Sequence, residues 1–240
     1  MDVNSDGSAA CLCHKAHGRT LSLVYDFVRQ CPLSITKIDG YKRWRCTSKR
    51  TVIGYSVDAD ILQFPDGCGQ SEPLVEISFE NEIVRTFPFT MTASFDFDEA
   101  SDCMVVSSSI YREISVVQFT TAEILHTIPC FQLSAYVSLS SSGHFISASC
   151  GKVHVFSNPH LSGIKASKMY VEDSAQMYQF LSDETILVHS YTRERFGVTN
   201  MFTGKTCEFL PNLNFTLCTI PFVRGNYAYC LVDGKICAYE

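Results

Sequence analysis

The segment CLCHKAH carries side chains of the kind that bind zinc in small structural sites. Cys11, Cys13, His14 and His17 fall within this one short stretch, and tetrahedral zinc sites are built from Cys sulfur and His nitrogen. Alternation along a β-strand would place Cys11 and Cys13 on one face, and a hairpin would have to curl back to bring His17 to Cys13. No second cluster of suitable spacing occurs elsewhere in the sequence. We therefore predict core cysteines and exposed histidines, with no metal and no cofactor.

Other patterns that could support catalysis are absent or have a simpler interpretation. The sequence has no GxSxG element and no HExxH helix. The acidic stretch DFDEASD (96–102) resembles a cation-binding loop, but NSDG (4–7) and SSSG (140–143) occupy the corresponding positions in the repeats described below. A polar turn shared by several repeats explains all three stretches. The sequence therefore predicts a protein that is not an enzyme.

The composition is that of a folded protein with ample apolar material for a core. Of the 240 residues, 46% are hydrophobic and 18% are charged, which argues against a generally disordered chain. The net charge of −6 argues against a general nucleic-acid-binding protein, because such proteins carry a basic face. No apolar run reaches the roughly 18 residues of a transmembrane helix. The first part of the chain also lacks the basic start and apolar block of a secretory signal.

The chain contains twelve cysteines, and many lie inside apolar runs such as CMVV (103–106), LCTI (217–220) and YCLV (229–232). A cysteine in such a run behaves as a small buried apolar residue. The spacings of the cysteines do not follow a compact disulfide framework. We therefore expect reduced thiols and an intracellular location, either cytoplasmic or nuclear.

Short β-branched and aromatic runs recur along the chain, separated by Ser, Asp, Gly and Asn. The predicted third strands of the repeats end at Tyr25-Asp26, Val117-Gln118, Phe156-Ser157, Thr199-Asn200 and Tyr239-Glu240. The first members of these pairs are 92, 39, 43 and 40 residues apart, so one divergent unit of about half the first interval lies between the first two. A period of about 40–45 residues built from four strands is typical of a propeller blade.

Two stretches carry a resemblance to a known family, VVQFTTAEILHTI (116–128) and GVTNMFTGKTCEFL (197–210). They resemble the third strand, the small-residue turn and the fourth strand of the WD-repeat family of β-propellers. No unit has the family's Trp-Asp pair at the end of the third strand, and Tyr25-Asp26 and Tyr239-Glu240 come nearest to it. The resemblance implies a rigid platform of stacked blades that binds other proteins.

The interpretation is an all-β fold, a β-propeller of about six four-stranded blades in one domain covering residues 1–240. The blades are expected at about 1–36, 37–90, 91–131, 132–172, 173–213 and 214–240. The last unit stops at Glu240 without a fourth strand, so we predict an incompletely closed ring. Because an open strand edge invites pairing, further chain or a strand from a partner protein would complete the last blade.

One basic segment interrupts the acidic chain, YKRWRCTSKR at residues 41–50, and it holds the single tryptophan. Its candidate partner-binding residues are Lys42, Arg43, Trp44, Arg45, Lys49 and Arg50. Because Arg and Trp are frequent hot-spot residues, the functional interpretation is a docking patch. The alternative is an irregular first strand with solvated basic side chains and Trp44 packed inward. The Pro/Gly-rich segment PDGCGQSEP (65–73) predicts a projecting loop that could add contacts.

These patterns favour a non-enzymatic scaffold for protein–protein interaction, acting within a larger protein or complex. A first alternative is a module that binds phosphoinositide, phosphopeptide or RNA through the basic residues 42–50. A second alternative is a propeller hydrolase, which would need carboxylates on the innermost strands. The sequence instead places Val3, Phe97 and Val137 there, with isolated acids such as Asp96. We expect protein partners. We expect neither a membrane-spanning segment nor a nucleic-acid ligand.

Overall fold

The protein is built from short β-strands that follow one another along the chain. The computed structural model describes residues 2–3, 8–16, 19–33, 35–36, 44–56, 73–89, 92–108, 111–130, 136–140, 142–149, 152–162, 168–173, 175–190, 195–209, 222–224, 227–232 and 235–239. Within these residues the sole helix is the single turn α1 (Pro159–Ser162). No helix in the described part of the chain has the length and apolar character to cross a membrane. The predicted all-β class is confirmed.

Two four-stranded sheets come first in the chain. The first sheet consists of β1 (Asp2–Val3), β2 (Ala9–Ala16), β3 (Arg19–Asp26) and β4 (Cys31–Leu33). The second sheet consists of β5 (Arg45–Cys46), β6 (Thr51–Tyr55), β7 (Leu74–Ser78) and β8 (Ile83–Thr86). In both sheets each strand pairs antiparallel with the next strand along the chain.

Three further four-stranded sheets follow with the same order of strands. The third sheet consists of β9 (Thr92–Asp98), β10 (Cys103–Ser108), β11 (Glu113–Gln118) and β12 (Ile124–Pro129). The fourth consists of β13 (Tyr136–Leu139), β14 (Phe145–Ser149), β15 (Lys152–Ser157) and β16 (Lys168–Asp173). The fifth consists of β17 (Ala175–Phe180), β18 (Thr185–Ser190), β19 (Arg195–Asn200) and β20 (Thr206–Phe209).

The last sheet has three strands among the described residues, in the order β21 (Phe222–Arg224), β22 (Tyr227–Val232) and β23 (Lys235–Tyr239). The strand β23 therefore lies at an edge of this sheet in the part of the chain that the structure describes. The assignment of the sheets to blades with the predicted boundaries, and to one domain, stays a prediction.

The third sheet shows why these sequences form strands. Each of the first five residues of β10, Cys103–Ser107, is buried, as expected for a strand covered on both faces. The next strand, β11, alternates buried and half-buried residues at first and pairs with β10 from Gln118 opposite Cys103 to Ile114 opposite Ser107. Turns between the strands use left-handed backbone at Asp102 and Ala122, with φ of 50° and 62°. Such turns fix the register of the hairpins that they close.

Two compact units make up the chain. The first comprises residues 1–92, 217–222 and 226–240, and the second comprises residues 93–216 and 223–225. The core of the first unit contains side chains from the first two sheets and from the segments that connect their strands, namely Ala9, Cys11, Val24, Ile35, Trp44, Cys46, Val52, Val75, Ile77 and Phe79. In the second unit, Val105, Ile114, Val116 and Ile146 belong to a core between the third and fourth sheets.

The backbone of Gly143 lies so close to Ser101 and Leu161 that any residue with a Cβ would be strained there. It lies in the turn between β13 and β14 with a φ of 73°, a region that L residues with a Cβ rarely adopt. A Cβ added there would lie 2.5 Å from Oγ of Ser101 and 3.0 Å from Cδ1 of Leu161. The Gly143 carbonyl also accepts a hydrogen bond of 2.7 Å from Nδ2 of the buried Asn158.

Replacing Gly143 with alanine is expected to lower the free energy of unfolding by about 2 kcal/mol, because backbone strain and overpacking add. Gly204 has a similar φ of 68° in an exposed turn, so Gly204→Ala is the matched control and should cost about 1 kcal/mol. Urea unfolding of both variants measures the difference. Equal losses would show that the contacts with Ser101 and Leu161 do not constrain Gly143.

Candidate partner-binding surface

Four turns that follow a third strand begin with a large apolar residue: Phe27, Phe79, Phe119 and Met201. The turns are equivalent, because each of these residues donates its backbone N–H to the carbonyl of the residue just before the second strand of the same sheet, at 2.8–3.3 Å. Phe79 and Phe119 are 5% exposed and Met201 is 1% exposed, whereas Phe27 is 49% exposed. Phe27 is therefore exposed at a position where the other three turns have a buried side chain.

The turn that Phe27 begins, residues 27–30, presents an exposed apolar pair. Its next residue, Val28, is 69% exposed, and the Phe27 ring contacts the ring of Tyr25 with centroids 5.1 Å apart. Scattered single apolar residues are normal on a protein surface. Here two adjacent apolar residues are exposed, and the first of them occupies a position that is buried in the other three turns, which indicates a contact surface.

Asp26 holds this turn in place although it lies at the end of β3. Its side chain is fully buried, and its Oδ1 accepts hydrogen bonds from the backbone N–H groups of Val28 (2.9 Å) and Arg29 (3.0 Å). Arg50 donates to both carboxylate oxygens of Asp26, and its guanidinium lies 5.2 Å from the centre of the Phe79 ring. Burial by itself raises the pKa of Asp26, but the hydrogen bonds from Arg50, Arg29 and Val28 together hold that pKa below its usual value.

Ionic contacts join three turns of the first unit into one surface. Besides the Asp26–Arg50 pair, Arg29 Nη2 lies 3.4 Å from Glu80 Oε1, and both of these side chains are more than half exposed. We call residues 27–30, 47–50 and 79–82 the three-turn surface. An exposed ion pair contributes little to stability, so the Arg29–Glu80 pair is available for exchange with charges on a partner.

A buried carboxylate links three strands of the second sheet. Glu76 is 5% exposed and its Oε1 accepts a hydrogen bond of 2.6 Å from Thr51 Oγ1. Arg85 donates to Glu76 Oε2 from Nε at 3.1 Å and from Nη2 at 2.7 Å. The Arg85 guanidinium also lies 4.4 Å from the centre of the buried Phe87 ring. Charge-assisted bonds of this kind hold β6, β7 and β8 together.

The predicted contact segment, residues 41–50, is divided between the core and the surface. Trp44 is 5% exposed and packs in the core of the first unit, and Arg45 in β5 is half-buried. The position of Trp44 is the one that the alternative interpretation of the segment expected. Lys42 and Arg43 lie outside the described residues, as do residues 65–72 of the predicted loop.

Lys49 and Arg50 belong to the three-turn surface. The Lys49 side chain is exposed, whereas Arg50 is half-buried by its contacts with Asp26 and Phe79. The pKa of Arg50 is raised chiefly by its hydrogen bond with Asp26. The assignment of partner contacts to these basic residues stays a prediction, although one of them already has an ionic partner within the chain.

The CLCHKAH segment lies on the second strand of the first sheet, where the repeat pattern predicted it. The strand β2 includes Cys11, Cys13 and His14, and Cys11 is 3% exposed within the core. His17 lies outside the described residues. Among the residues that the structure does describe, no group of three or more His, Cys, Asp or Glu side chains is arranged to hold a metal ion.

Asp96 is the isolated acid that kept the hydrolase alternative open, and its Oδ2 joins two sheets. It lies on β9 and is 4% exposed. Its Oδ2 accepts hydrogen bonds from Ser138 Oγ at 2.6 Å and from the backbone N–H of Leu139 at 3.0 Å, both on β13. Ser94, two residues earlier on the same face of β9, accepts from the backbone N–H of Val137 at 3.3 Å. This pattern favours a structural role for Asp96.

The acidic stretch 96–102 ends in a turn whose carboxylates accept hydrogen bonds from nearby groups. Asp98 Oδ2 accepts a hydrogen bond from the backbone N–H of Ser101 at 2.8 Å. Asp102 accepts from Gln118 Nε2, at 2.9 Å, and from both the backbone N–H and the hydroxyl of Thr120. Burial raises the pKa of Asp102, and the bonds from Gln118 and Thr120 more than offset that effect. Asp98 and Asp102 thus have structural roles, within their own turn and in bonds to β11 and the turn that follows it.

Sequence reasoning missed Phe27, Val28 and Arg29, which lie in the first turn of the three-turn surface. A signal was present, because FVRQ follows directly on the predicted strand end at Tyr25-Asp26. Aligning the four turns by their strand ends would have shown that each begins with a large apolar residue. It would not have shown that Phe27 is the exposed one, since exposure depends on the neighbouring elements.

Solved structures place this arrangement of sheets in a known fold. The β-propeller domain of Cps50 (Swd1) from Myceliophteria thermophila is similar over 99% of this chain and 82% of its own, with a TM-score of 0.64 and 12% identity. A chain of the mitotic checkpoint complex is similar over 95% of this chain and 69% of its own, with a TM-score of 0.63 and 9% identity. Both are WD40 β-propeller structures.

The protein has a WD-repeat-like β-propeller fold. The predicted resemblance and fold class are thereby confirmed, and the propeller is a divergent one. No protein-family model matches its sequence, and no curated protein matches it. At 9–12% identity the two similar structures define the fold of this propeller and leave its partners to be argued from its own residues.

Proposed function

We propose that this propeller is a non-enzymatic interaction scaffold whose three-turn surface binds a partner protein. The observation that carries the proposal is the exposed pair Phe27 and Val28 on a turn anchored by buried Asp26. A large apolar side chain held on a rigid support loses little entropy on binding and is typical of a hot spot. The similar structures add support, because one of them is part of a protein complex.

The charges of the surface favour a protein over a simple anion as its ligand. Arg50 pairs with Asp26, and Arg29 lies within 3.4 Å of Glu80. Of the predicted basic residues in the described part of the surface, Lys49 is the most exposed. A site for phosphate or RNA would need several basic side chains directed at the ligand. An apolar centre with a mixed charged rim instead matches the anatomy of protein interfaces.

The edge of the last sheet supports a second contact in the same proposal. Within the described residues the other sheets have four strands, and β23 has no neighbour on its outer side. A strand from the partner could pair there, because main-chain hydrogen bonds to an exposed edge give affinity with little sequence requirement. The intracellular location inferred from the sequence stays a prediction.

The test is a comparison of partner capture from a reducing extract of the source cells. The double variant Phe27→Ser with Val28→Ser is expected to lose a protein that the wild-type chain retains, and its affinity for that purified partner should fall tenfold or more. The matched control is Ile124→Ser, which removes a 51% exposed apolar side chain from β12 in the second unit and should leave binding unchanged.

Three outcomes decide between the interpretations. Equal capture by the wild type and the double variant would overturn the assignment of the three-turn surface. Loss of binding in Lys49→Glu together with a steep dependence on salt would favour the anion-binding alternative. Slower hydrogen exchange of the β23 amides in the complex is expected if a partner strand pairs with them, and unchanged exchange there would remove that second contact.

A further inference from the structure

We infer that Cys11 and Cys46 form a redox-active pair that can join the first two sheets by a disulfide bond. Cys11 lies on β2 and Cys46 on β5, and their Sγ atoms are 2.9 Å apart. The two residues are 35 positions apart in the sequence. A bond between them would therefore connect two sheets that are otherwise held together by packing and polar contacts.

The distance is what distinguishes this pair from two cysteines that share a core. Carbon atoms pack at about 3.5–4.0 Å without a bond, and sulfur is larger than carbon. At 2.9 Å the two sulfur atoms are inside ordinary contact distance and less than 1 Å from the roughly 2.05 Å of a disulfide. The two sulfur atoms therefore need to approach by less than 1 Å to reach bonding distance.

The surroundings of the pair decide when the bond can form. Cys11 is 3% exposed and Cys46 is 4% exposed, and both lie in a core that includes Val24, Trp44 and Val52. A bulky oxidant cannot reach either sulfur in the closed fold. The bond therefore forms while the chain folds or when the two sheets separate transiently, and the core afterwards protects it from reducing agents.

Oxidised glutathione supplies the chemistry that the step needs. One cysteine loses its proton, and its thiolate attacks a sulfur of the glutathione disulfide, giving a mixed disulfide and releasing one glutathione thiolate. The second cysteine, also as a thiolate, attacks the protein sulfur of the mixed disulfide and releases the other glutathione. The two cysteine thiols are oxidised by two electrons, one glutathione disulfide is reduced to two thiols, and the two protons pass to the departing thiolates.

The experiment equilibrates the full chain in glutathione buffers of increasing oxidised fraction, quenches it with acid, and alkylates the remaining thiols for peptide mapping. A peptide linked through Cys11 and Cys46 is expected to accumulate before other linked peptides. The oxidised chain should unfold at a midpoint about 5–10 °C above the reduced chain, because the bond closes a loop of about 35 residues in the unfolded state.

Variants make the assignment specific. Cys46→Ala is expected to abolish both the linked peptide and the rise in midpoint, whereas Cys103→Ala removes a fully buried cysteine of the second unit and should retain both. Cys230 and Cys237 are paired in register on β22 and β23, so they are the natural competitors. The proposal is overturned if Cys11 and Cys46 are recovered alkylated or glutathionylated in the most oxidising buffer, or if the first crosslink joins the Cys230–Cys237 pair.

Discussion

Replacing Asp96 with alanine is expected to lower the free energy of unfolding by about 3 kcal/mol. The substitution leaves the backbone N–H of Leu139 and the hydroxyl of Ser138 without the acceptor that joins β13 to β9. Buried donors that lose their acceptor cost more than the net strength of the bond, because water cannot replace it. Urea unfolding followed by tryptophan fluorescence and by circular dichroism measures the loss.

Two variants serve as controls for Asp96→Ala. Asp96→Asn keeps one acceptor oxygen in place, so it should lower the free energy of unfolding by about half as much as Asp96→Ala. Asp98→Asn changes a half-buried acid two residues along the same strand, whose Oδ2 accepts a hydrogen bond within the turn from the backbone of Ser101, and it should cost less than 1 kcal/mol, roughly the net value of such a bond. If Asp96→Ala were as stable as the wild type, the acceptor role assigned to Asp96 would be wrong.

The same variant bears on the hydrolase alternative. A carboxylate kept for catalysis is commonly a site of strain, so its removal abolishes activity while leaving stability unchanged or improved. A carboxylate that holds two strands together shows the opposite pattern, in which its removal clearly lowers stability. The bonds from Ser138 and Leu139 to Asp96 make us expect the second pattern.

The strand architecture could be predicted from the sequence because it depends on local pattern. The ends predicted for the third strands agree with the structure in each of five repeats, where β3, β11, β15, β19 and β23 end at Asp26, Gln118, Ser157, Asn200 and Tyr239. Short runs that mix or alternate apolar and polar residues, bounded by polar turns, specify these strands. The same spacing and the same kinds of turn residue recur along the chain. A strand end that is ambiguous in one repeat can therefore be placed by comparison with the other repeats.

The candidate surface could be predicted only in part because it depends on contacts between sheets. The basic segment suggested a cationic patch, yet Arg50 pairs with Asp26, which is 24 residues away and belongs to another sheet. Trp44 has the residue type of a binding hot spot but packs in the core. Phe27 has the residue type of a core side chain but is half exposed. Residue type determines which contacts a side chain can make. Whether that side chain is buried or exposed depends on how the sheets pack.

The largest effect that we expect at the three-turn surface comes from Asp26→Asn. The substitution removes the anionic partner of Arg50 at a contact in which the Asp26 side chain is fully buried and the Arg50 side chain is half-buried. It should lower the midpoint of thermal unfolding by several degrees at neutral pH. Arg29→Met is the matched control. Arg29 Nε lies 3.8 Å from the same carboxylate, but the Arg29 side chain is 53% exposed, so its removal should change the midpoint little.

The dependence on pH separates the charge of Asp26 from its hydrogen bonds. Because the pKa of Asp26 is lower in the folded chain than its usual value, its ionised form contributes stability that is fully present above the unfolded pKa of about 3.9. That contribution is lost as the pH falls through the folded pKa. The difference in midpoint between wild type and Asp26→Asn should therefore be constant near neutrality and shrink below about pH 4.

Other acids do not obscure this test of Asp26. The pKa values of Asp102 and Asp183 are also held below their usual range, so the wild type loses stability in acid for several reasons at once. Both acids are present in Asp26→Asn as well, and their contributions cancel when the two midpoints are subtracted. A difference that stayed the same from pH 7 to pH 3 would mean that neutral hydrogen bonds, and not the ion pair with Arg50, hold the turn that carries Phe27 and Val28.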